Sequence, residues 1–489
     1  MKNKQLILAA SLALAAGAPA IAAQPNIIVL LVDDMGYGDV GPFGSQLNPT
    51  PNLDRMAQEG MKLTSFYAAP VCSASRAQLL TGCYAPRVSM PWVLGAGDHI
   101  GLNPAELTVP EVLKSAGYST LMIGKWHLGD QPEFLPLHYG FDHYFGFPYS
   151  NDIMLPAADS DLPVVPLMRD DQVIALMTDA DQNMLTELYT DQAVHFLKER
   201  SRQKQPFFLY LAYDAVHFPI HPGVRWIGKS HNGRFGDWVV EVDWSVGRIL
   251  DTLRELKLAT NTLVFFTSDN GPWLVHGKDA GTAFPLRGGK GSTWEGGLRE
   301  PAIAWWPGHV PAGVARDTVA GTIDFLPTFA SLAMAQIPAD KKIDGADISK
   351  LLLGQTTEAA REAQYYYLKW QLQAVRVGDW KLALCPQQLS MQVNTGGVSE
   401  PGLRLYNLAA DIGEKNDVAA AHPDIVKRLK ALADRQQETL CNNSSTGPGV
   451  RPPGWVAHPQ YLVPVKPSYR PPSWPEANYR QLFPNLSGH

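Results

Sequence analysis

Four short apolar runs in this sequence end in side chains able to do chemistry. Asp33 and Asp34 follow the run 26–32, Lys125 and His127 follow 119–123, Asp214 and His217 follow 207–212, and Asp269 and Asn270 follow 262–267. Asp33, Asp34, Asp269 and Asn270 offer only oxygen donors, the set that suits a hard cation such as Ca²⁺ or Mg²⁺. One acidic pair could equally cap a helix or close a turn; a second pair after another buried run favours a shared ion. Lys125 and His127 are two apart, so on extended chain they face the same side. A fifth segment, Cys72-Ser73-Ala74-Ser75-Arg76, places a cysteine at the start of a short helical pattern. Such a cysteine is commonly a small buried residue, but a helix N-terminus and Arg76 both favour negative charge at that spot.

The runs that carry these groups read as buried parallel strands, with amphipathic helical patterns at 52–59, 109–116, 185–200 and 239–256 between them. Strands alternating with helices imply an α/β domain with a mostly parallel central sheet flanked by helices. Ligands bind such sheets beyond the carboxyl ends of the strands. All four ends here carry acids, bases or amides, which locates the site. After about residue 355 the texture changes. Segments 365–367, 373–376 and 380–384 read as antiparallel strands, Val377-Gly378-Asp379 as a turn, and 423–437 as a helix. From residue 447 the chain is dense in Pro, Trp and Tyr, and its aromatics (Trp455, Tyr461, Tyr469, Trp474, Tyr479) predict packing over the surface. The expected organisation is a leader at 1–23, a catalytic α/β domain at 24–355, an antiparallel sheet and helix at 356–446, and a surface-packed tail at 447–489.

The leader combines Lys2 and Lys4, an apolar stretch too short to span a membrane, and the small-residue site Ala20-Ile21-Ala22. It predicts export to the periplasm or beyond, with no membrane anchor in the mature form. A net charge of −6 and pI near 6.1 give no electrostatic case for nucleic acid. A polyanionic substrate would need a local positive pocket. Of the four cysteines, Cys385 and Cys441 could pair in an oxidising compartment if Cys72 is chemically consumed, leaving Cys83 a free thiol.

The 72–76 stretch resembles the signature of the type I, formylglycine-dependent sulfatases of the alkaline phosphatase superfamily: Cys, any residue, Pro or Ala, any residue, Arg. The 124–129 segment (Gly-Lys-Trp-His-Leu-Gly), the 288–301 segment and Leu405-Tyr406-Asn407-Leu408 with 411–417 fit the same family. The glycine-rich 288–297 loop lacks the spacing of a nucleotide phosphate cradle. The resemblance is to arylsulfatase A-like and N-acetylgalactosamine sulfatase-like members. It implies an alkaline-phosphatase-like large domain and a smaller C-terminal subdomain. A formylglycine-generating maturation enzyme would convert Cys72 to 3-oxoalanine. Its hydrate carries two hydroxyls on one carbon; one attacks sulfur, and deprotonation of the other expels sulfate.

The resemblance further implies Ca²⁺ on Asp33, Asp34, Asp269, Asn270 and the modified Cys72. Arg76 and Lys125 would bind sulfate, with Ser150 as a further pocket residue. His127 would contact the diol and act as base, while His217 and Lys290 would meet the departing oxygen. His276, Lys278 and Arg287 lie in the loop before Lys290. His276 and Arg287 are candidate substrate contacts, for a sugar or an acidic group, although a solvated loop fits them equally. The expected substrate is a sulfated carbohydrate derived from a polysaccharide. The alternatives are a broad arylsulfatase, a phosphatase or phosphodiesterase of the same superfamily, and a catalytically silent glycan-binding relative.

Overall fold

All seven residues of the strand Asn26–Val32 are buried, and their alternation divides them between two cores. Ile28, Leu30 and Val32 pack in one cluster with Phe196, Trp238 and Val242 from the helices Leu185–Arg200 and Gly233–Glu255. Ile27, Val29 and Leu31 pack in the other with Leu79, Leu113 and Phe325 from Cys72–Thr81, Val109–Ser115 and Phe325–Leu332. A strand covered on both faces can be apolar at every position, which is why it reads as an unbroken run. In the computed structural model the described residues are 24–393, 397–398, 401–441, 446–470 and 483. The expected leader, Trp474 and Tyr479 lie outside them.

Among the described residues the central sheet has eleven strands. Its heart is five parallel neighbours in the order Thr262–Ser268, Asn26–Val32, Phe207–Ala212, Ser119–Gly124 and His143–Gly146. Arg299–Trp305 runs antiparallel between Thr262–Ser268 and Met61–Tyr67. The opposite edge is the antiparallel hairpin Val165–Arg169 and Gln172–Met177. The sheet is therefore parallel where the four chemistry-bearing strand ends lie. The helix Gly233–Glu255 starts six residues before the amphipathic pattern at 239, and its first turns bury Phe235 and Trp238 between Gly233, Gly236 and polar residues. Gly236 is needed there, since a Cβ would come within 2.5 Å of Asn48 Oδ1.

A second sheet, Gln364–Leu368, Gln371–Val377, Trp380–Ala383 and Arg404–Asn407, is antiparallel throughout. The helix Pro423–Thr439 covers it through Leu429, Leu432 and Ala433, packed on Leu372, Val375, Leu382 and Leu405. Gly378 turns the second strand into the third at φ +56°, a left-handed value that favours glycine. Cys385 and Cys441, which could have paired, do not; both thiols are free. The thiol of Cys441 lies near Tyr367 on the first strand of this sheet, and that of Cys385 near Arg404 on the fourth. Beyond residue 446, Gly454–Trp455 pairs with Ile100–Gly101, Trp455 stacks on His99 at 5.0 Å, and Tyr461 and Tyr469 pack against the first core cluster.

Gly124 closes the Ser119–Gly124 strand at φ +97°, and a Cβ there would lie 1.8 Å from the carbonyl oxygen of Ala212. The neighbouring strand approaches that closely because Lys125 N donates to the same oxygen. Gly124→Ala should therefore lower the melting temperature by several degrees in a thermal scan and reduce soluble yield, because strain and overlap add.

Candidate active site

The peptide carbonyls and amides at the strand ends bring the four segments into contact before any side chain is considered. Asp33 N donates to Ala215 O, Asp269 N to Val32 O, and His127 N to Pro148 O. Asp34 and His127 hold φ values of 59° and 60°. Left-handed backbone at non-glycine residues costs energy and is concentrated where side chains must be aimed.

Three carboxylates and three cations meet there. Arg76, with no exposed side-chain surface, bridges Asp33 at 3.0 Å and Asp269 at 3.1 Å, and it also donates to Lys125 O. Lys125 Nζ lies 2.5 Å from Asp33 Oδ2 and 3.0 Å from Ser150 Oγ. Lys290 Nζ lies 2.7 Å from Asp34 Oδ1. Burial opposes ionisation of Asp33, yet the charges of Lys125, Arg76 and Lys290 outweigh it and hold the carboxyl well below its usual range. Asp34 is pushed up to about 7, first by burial and then by Asp33 and Asp269, with Lys290 pulling the other way.

Cys72 begins its helix in the same cluster, its Sγ 3.4 Å from Asp33 Oδ1. Burial, and next the charge of Asp33, push its thiol far up. His127 Nε2 lies 2.9 Å from Leu94 O, while its Nδ1 is buried without a partner. Burial, Lys125 and Arg76 lower its pKa well below the ordinary histidine value, so the ring is neutral at pH 7. His217 Nδ1 lies 2.6 Å from Phe218 O and its Nε2 3.7 Å from Asp34 Oδ2. Burial, Lys290 and Lys125 keep this ring neutral too.

The donor set fits a cation. One ligand atom each from Asp33, Asp34, Cys72 and His217 lie within 4.8 Å of one another. Asn270 donates its amide to Asp34 Oδ1 at 2.7 Å, leaving Oδ1 of its own amide buried and unpartnered. Asp269 is committed to Arg76 through one oxygen and to Asp34 N, at 3.2 Å, through the other. The structure thus brings together the five residues expected around a metal, Asp33, Asp34, Asp269, Asn270 and Cys72, with His217 beside them.

The loop carrying Lys290 is held by the C-terminal sheet. Lys290 O accepts from Met391 N at 2.6 Å and from Ser390 Oγ at 2.8 Å. Lys381 Nζ donates to Thr293 O and pairs with Glu295 at 3.1 Å and Glu414 at 2.7 Å, all without exposure. Arg287, a candidate substrate contact, lies with its guanidinium 3.8 Å from the Trp294 ring centroid and donates to Glu414 O. Those contacts place it in the seam between the sheets. His276 lies closer to the reacting groups, on a loop beside Trp273, whose ring Lys290 overlies at 4.7 Å. Local sequence does not mark Phe218 or Lys381; Glu295 and Glu414 lie within the 288–301 and 411–417 segments without standing out from them.

A family model described as Sulfatase matches residues 25–335, well over half of the chain. The chain belongs to the sulfatase family. A second model, described as N-sulphoglucosamine sulphohydrolase, C-terminal, matches residues 289–437 of this sulfatase. The chain is similar to mouse N-acetylgalactosamine-6-sulfatase, 42% identical with 94% of this chain and 97% of that protein covered. It is 39% identical to human arylsulfatase A over 86% of this chain and 89% of that one. Among solved structures, Ps i-CgsB in complex with k-i-k-neocarrahexaose matches with a TM-score of 0.74 and 29% identity, covering 84% of this chain and 92% of that one. The enzyme is a sulfuric ester hydrolase.

Removing Arg76 from this sulfatase would leave two buried carboxylates facing each other. Arg76→Ala should cost about 3–5 kcal/mol of stability, the usual loss on breaking a buried ion pair, read as a lowered midpoint in chemical denaturation. Turnover should fall with it.

Proposed function

We propose that this enzyme is exported and removes sulfate from a sulfated saccharide, using Cys72 converted to formylglycine and a calcium ion. The observation that supports it best is Cys72 itself. Its thiol lies among three carboxylates and is driven toward the protonated form, whereas nucleophilic cysteines are built to be thiolates. A hard cation also prefers oxygen to sulfur. Oxidation to the aldehyde, by a maturation enzyme that reads the 72–76 stretch, removes both mismatches. The relatives named for N-acetylgalactosamine 6-sulfate and the solved complex with a neocarrahexaose support a saccharide substrate. Among the described residues no helix is long and apolar enough to cross a membrane.

Asp33, Asp34, Asp269 and Asn270 would hold the ion, with residue 72 beside it. The ion supplies Lewis-acid neutralisation of sulfate oxygens, and the hydrated aldehyde supplies a nucleophile with a built-in exit. The chain's own residues do the rest. Arg76 fixes Asp33 and Asp269 and adds positive charge behind the sulfate. Lys125 and Ser150, hydrogen-bonded to each other, orient the remaining sulfate oxygens. His127 is neutral, its Nε2 turned to a carbonyl, so Nδ1 offers a lone pair that takes a proton from the group at residue 72. His217 and Lys290 stand together on the Asp34 side and meet the leaving oxygen, Lys290 by charge and His217 by hydrogen bonding.

Mass spectrometry of the peptide around Cys72, from protein matured in its native host, should show the aldehyde; an unmodified thiol in active enzyme would sink the reading. Cys72→Ala should abolish turnover, while Cys83→Ala, altering a buried thiol bonded to Thr81 O and Arg451, should leave the rate nearly intact. Lys290→Ala should lower kcat about 10²–10³-fold, the scale for losing one oxyanion stabiliser. The loss should be steepest for esters with poor leaving groups, measured across a series of aryl sulfates.

A further inference from the structure

Beside His217 and Lys290 the structure carries an aromatic wall that none of the steps above uses. His217 lies 5.5 Å from Trp273, ring to ring; Trp273 meets His276 edge-on at 4.5 Å and 89°; and His276 stacks on Phe218 at 3.8 Å and 7°. The wall joins two loops, one after the strand Phe207–Ala212 and one after Thr262–Ser268. These strands flank the strand that delivers Asp33 and Asp34. Its inner end touches the two groups proposed for the leaving oxygen, and its outer end reaches solvent, with Phe218 37% exposed.

Such placement is costly without a ligand. Phe218 presents apolar ring surface at the mouth of a strongly polar site, although its stacking partner is a histidine. Two ring nitrogens of the wall, Trp273 Nε1 and His276 Nε2, are buried with no hydrogen-bond partner among the described residues. Burial, and then the charge of Lys290, lower the pKa of His276, so its ring stays uncharged near neutral pH. An uncharged aromatic face flanked by unpaired ring nitrogens matches one chemistry well. A pyranose has an apolar face of C–H groups that lies on an aromatic ring and hydroxyls at its edge that pair with N–H or ring nitrogen.

We propose that Phe218, His276 and Trp273 form a subsite for the sugar ring that bears the departing oxygen. The subsite rests on the sulfatase reading and adds to it the group recognised beyond the sulfate. The sugar ring stacks on the face of Phe218 that His276 leaves free, with His276 backing that ring from the other side, and its oxygen substituent points inward past Trp273 toward His217 and Lys290. Position on two loops, rather than on the sheet, makes this the part of the site that selects among sulfated alcohols.

The test uses full-length enzyme matured in its native host, with 4-nitrophenyl sulfate as reporter and galactose, N-acetylgalactosamine and inorganic sulfate as inhibitors. In Phe218→Ala the inhibition constant of at least one sugar should rise about tenfold, equivalent to one ring contact. That of sulfate should be unchanged, and Phe218→Tyr, which keeps the ring, should restore sugar inhibition. His276→Ala should act in the same direction as Phe218→Ala. The subsite is overturned if neither sugar inhibits the wild type, if sugar inhibition is the same in Phe218→Ala, or if sulfate inhibition weakens equally. Wild-type protein that carries the aldehyde yet cleaves no sulfate ester would overturn the catalytic reading and the subsite together; active wild type with an indifferent Phe218 overturns the subsite alone.

Discussion

Charge compensation without water governs this molecule. Asp33, Asp34 and Asp269 are almost fully shielded from solvent, and an isolated buried carboxylate is expensive. Arg76, Lys125 and Lys290 offset that cost, and each must come from a different part of the chain: a helix, a strand end and a glycine-rich loop. The fold is the device that delivers them. Five parallel strands point their carboxyl ends at one place, and the helix Cys72–Thr81 adds residue 72 and Arg76 from the same edge.

Lys290 explains why the second sheet exists in the same unit. A glycine-rich loop has no rigidity of its own, yet its lysine has to stay within 3 Å of Asp34. Met391 and Ser390 hold the Lys290 carbonyl, and Gly291 N donates to Pro70 O, two residues before Cys72. Beneath them Glu295 is paired with Lys381, Arg376 and Arg299 and accepts from Tyr67 and Tyr366. Burial opposes its ionisation, but Lys381, Arg376 and Arg299 prevail and hold the carboxyl well down. The two sheets are therefore joined through ions in fixed geometry, which suits a joint that has to aim one ammonium group.

The strands, their order of chemistry and the Cys72 segment were legible because each is a local pattern. A doubly covered strand is apolar at every position, and the polar residue that ends it stands out. The seam between the sheets was not legible: Lys381 pairs with Glu414 and Glu295, 33 and 86 residues away along the chain, and nothing local marks a lysine that will be buried. The contacts of Arg287 were hidden for the same reason. A basic residue three positions before Lys290 looks available to substrate, and Trp294 and the Glu414 carbonyl engage it. Asp214 is similar: it ends a strand like the others, yet it accepts from Tyr189 behind the site, and burial raises its pKa to about 7. The sequence left the pairing of Cys385 with Cys441 open, because separation along the chain does not report which strands of an antiparallel sheet two thiols sit beside.

Strand-held and loop-held residues separate two tasks. Side chains that surround the place for a small tetrahedral anion sit at strand ends or are clamped by the second sheet, and Arg76, Lys125 and Ser150 are each at most 3% exposed. That precision is needed because charge stabilisation decays quickly with misplacement. The aromatic residues that flank the leaving side stand on loops, with rings partly in solvent and few hydrogen bonds to fix them. In the proposed subsite, changing those loops would alter which alcohol fits without disturbing a carboxylate or its counter-ion, since none of the three wall residues supplies a charge to the cluster. One charge-compensated pocket can therefore serve many sulfate esters, with the choice among them left to residues that the buried core does not constrain.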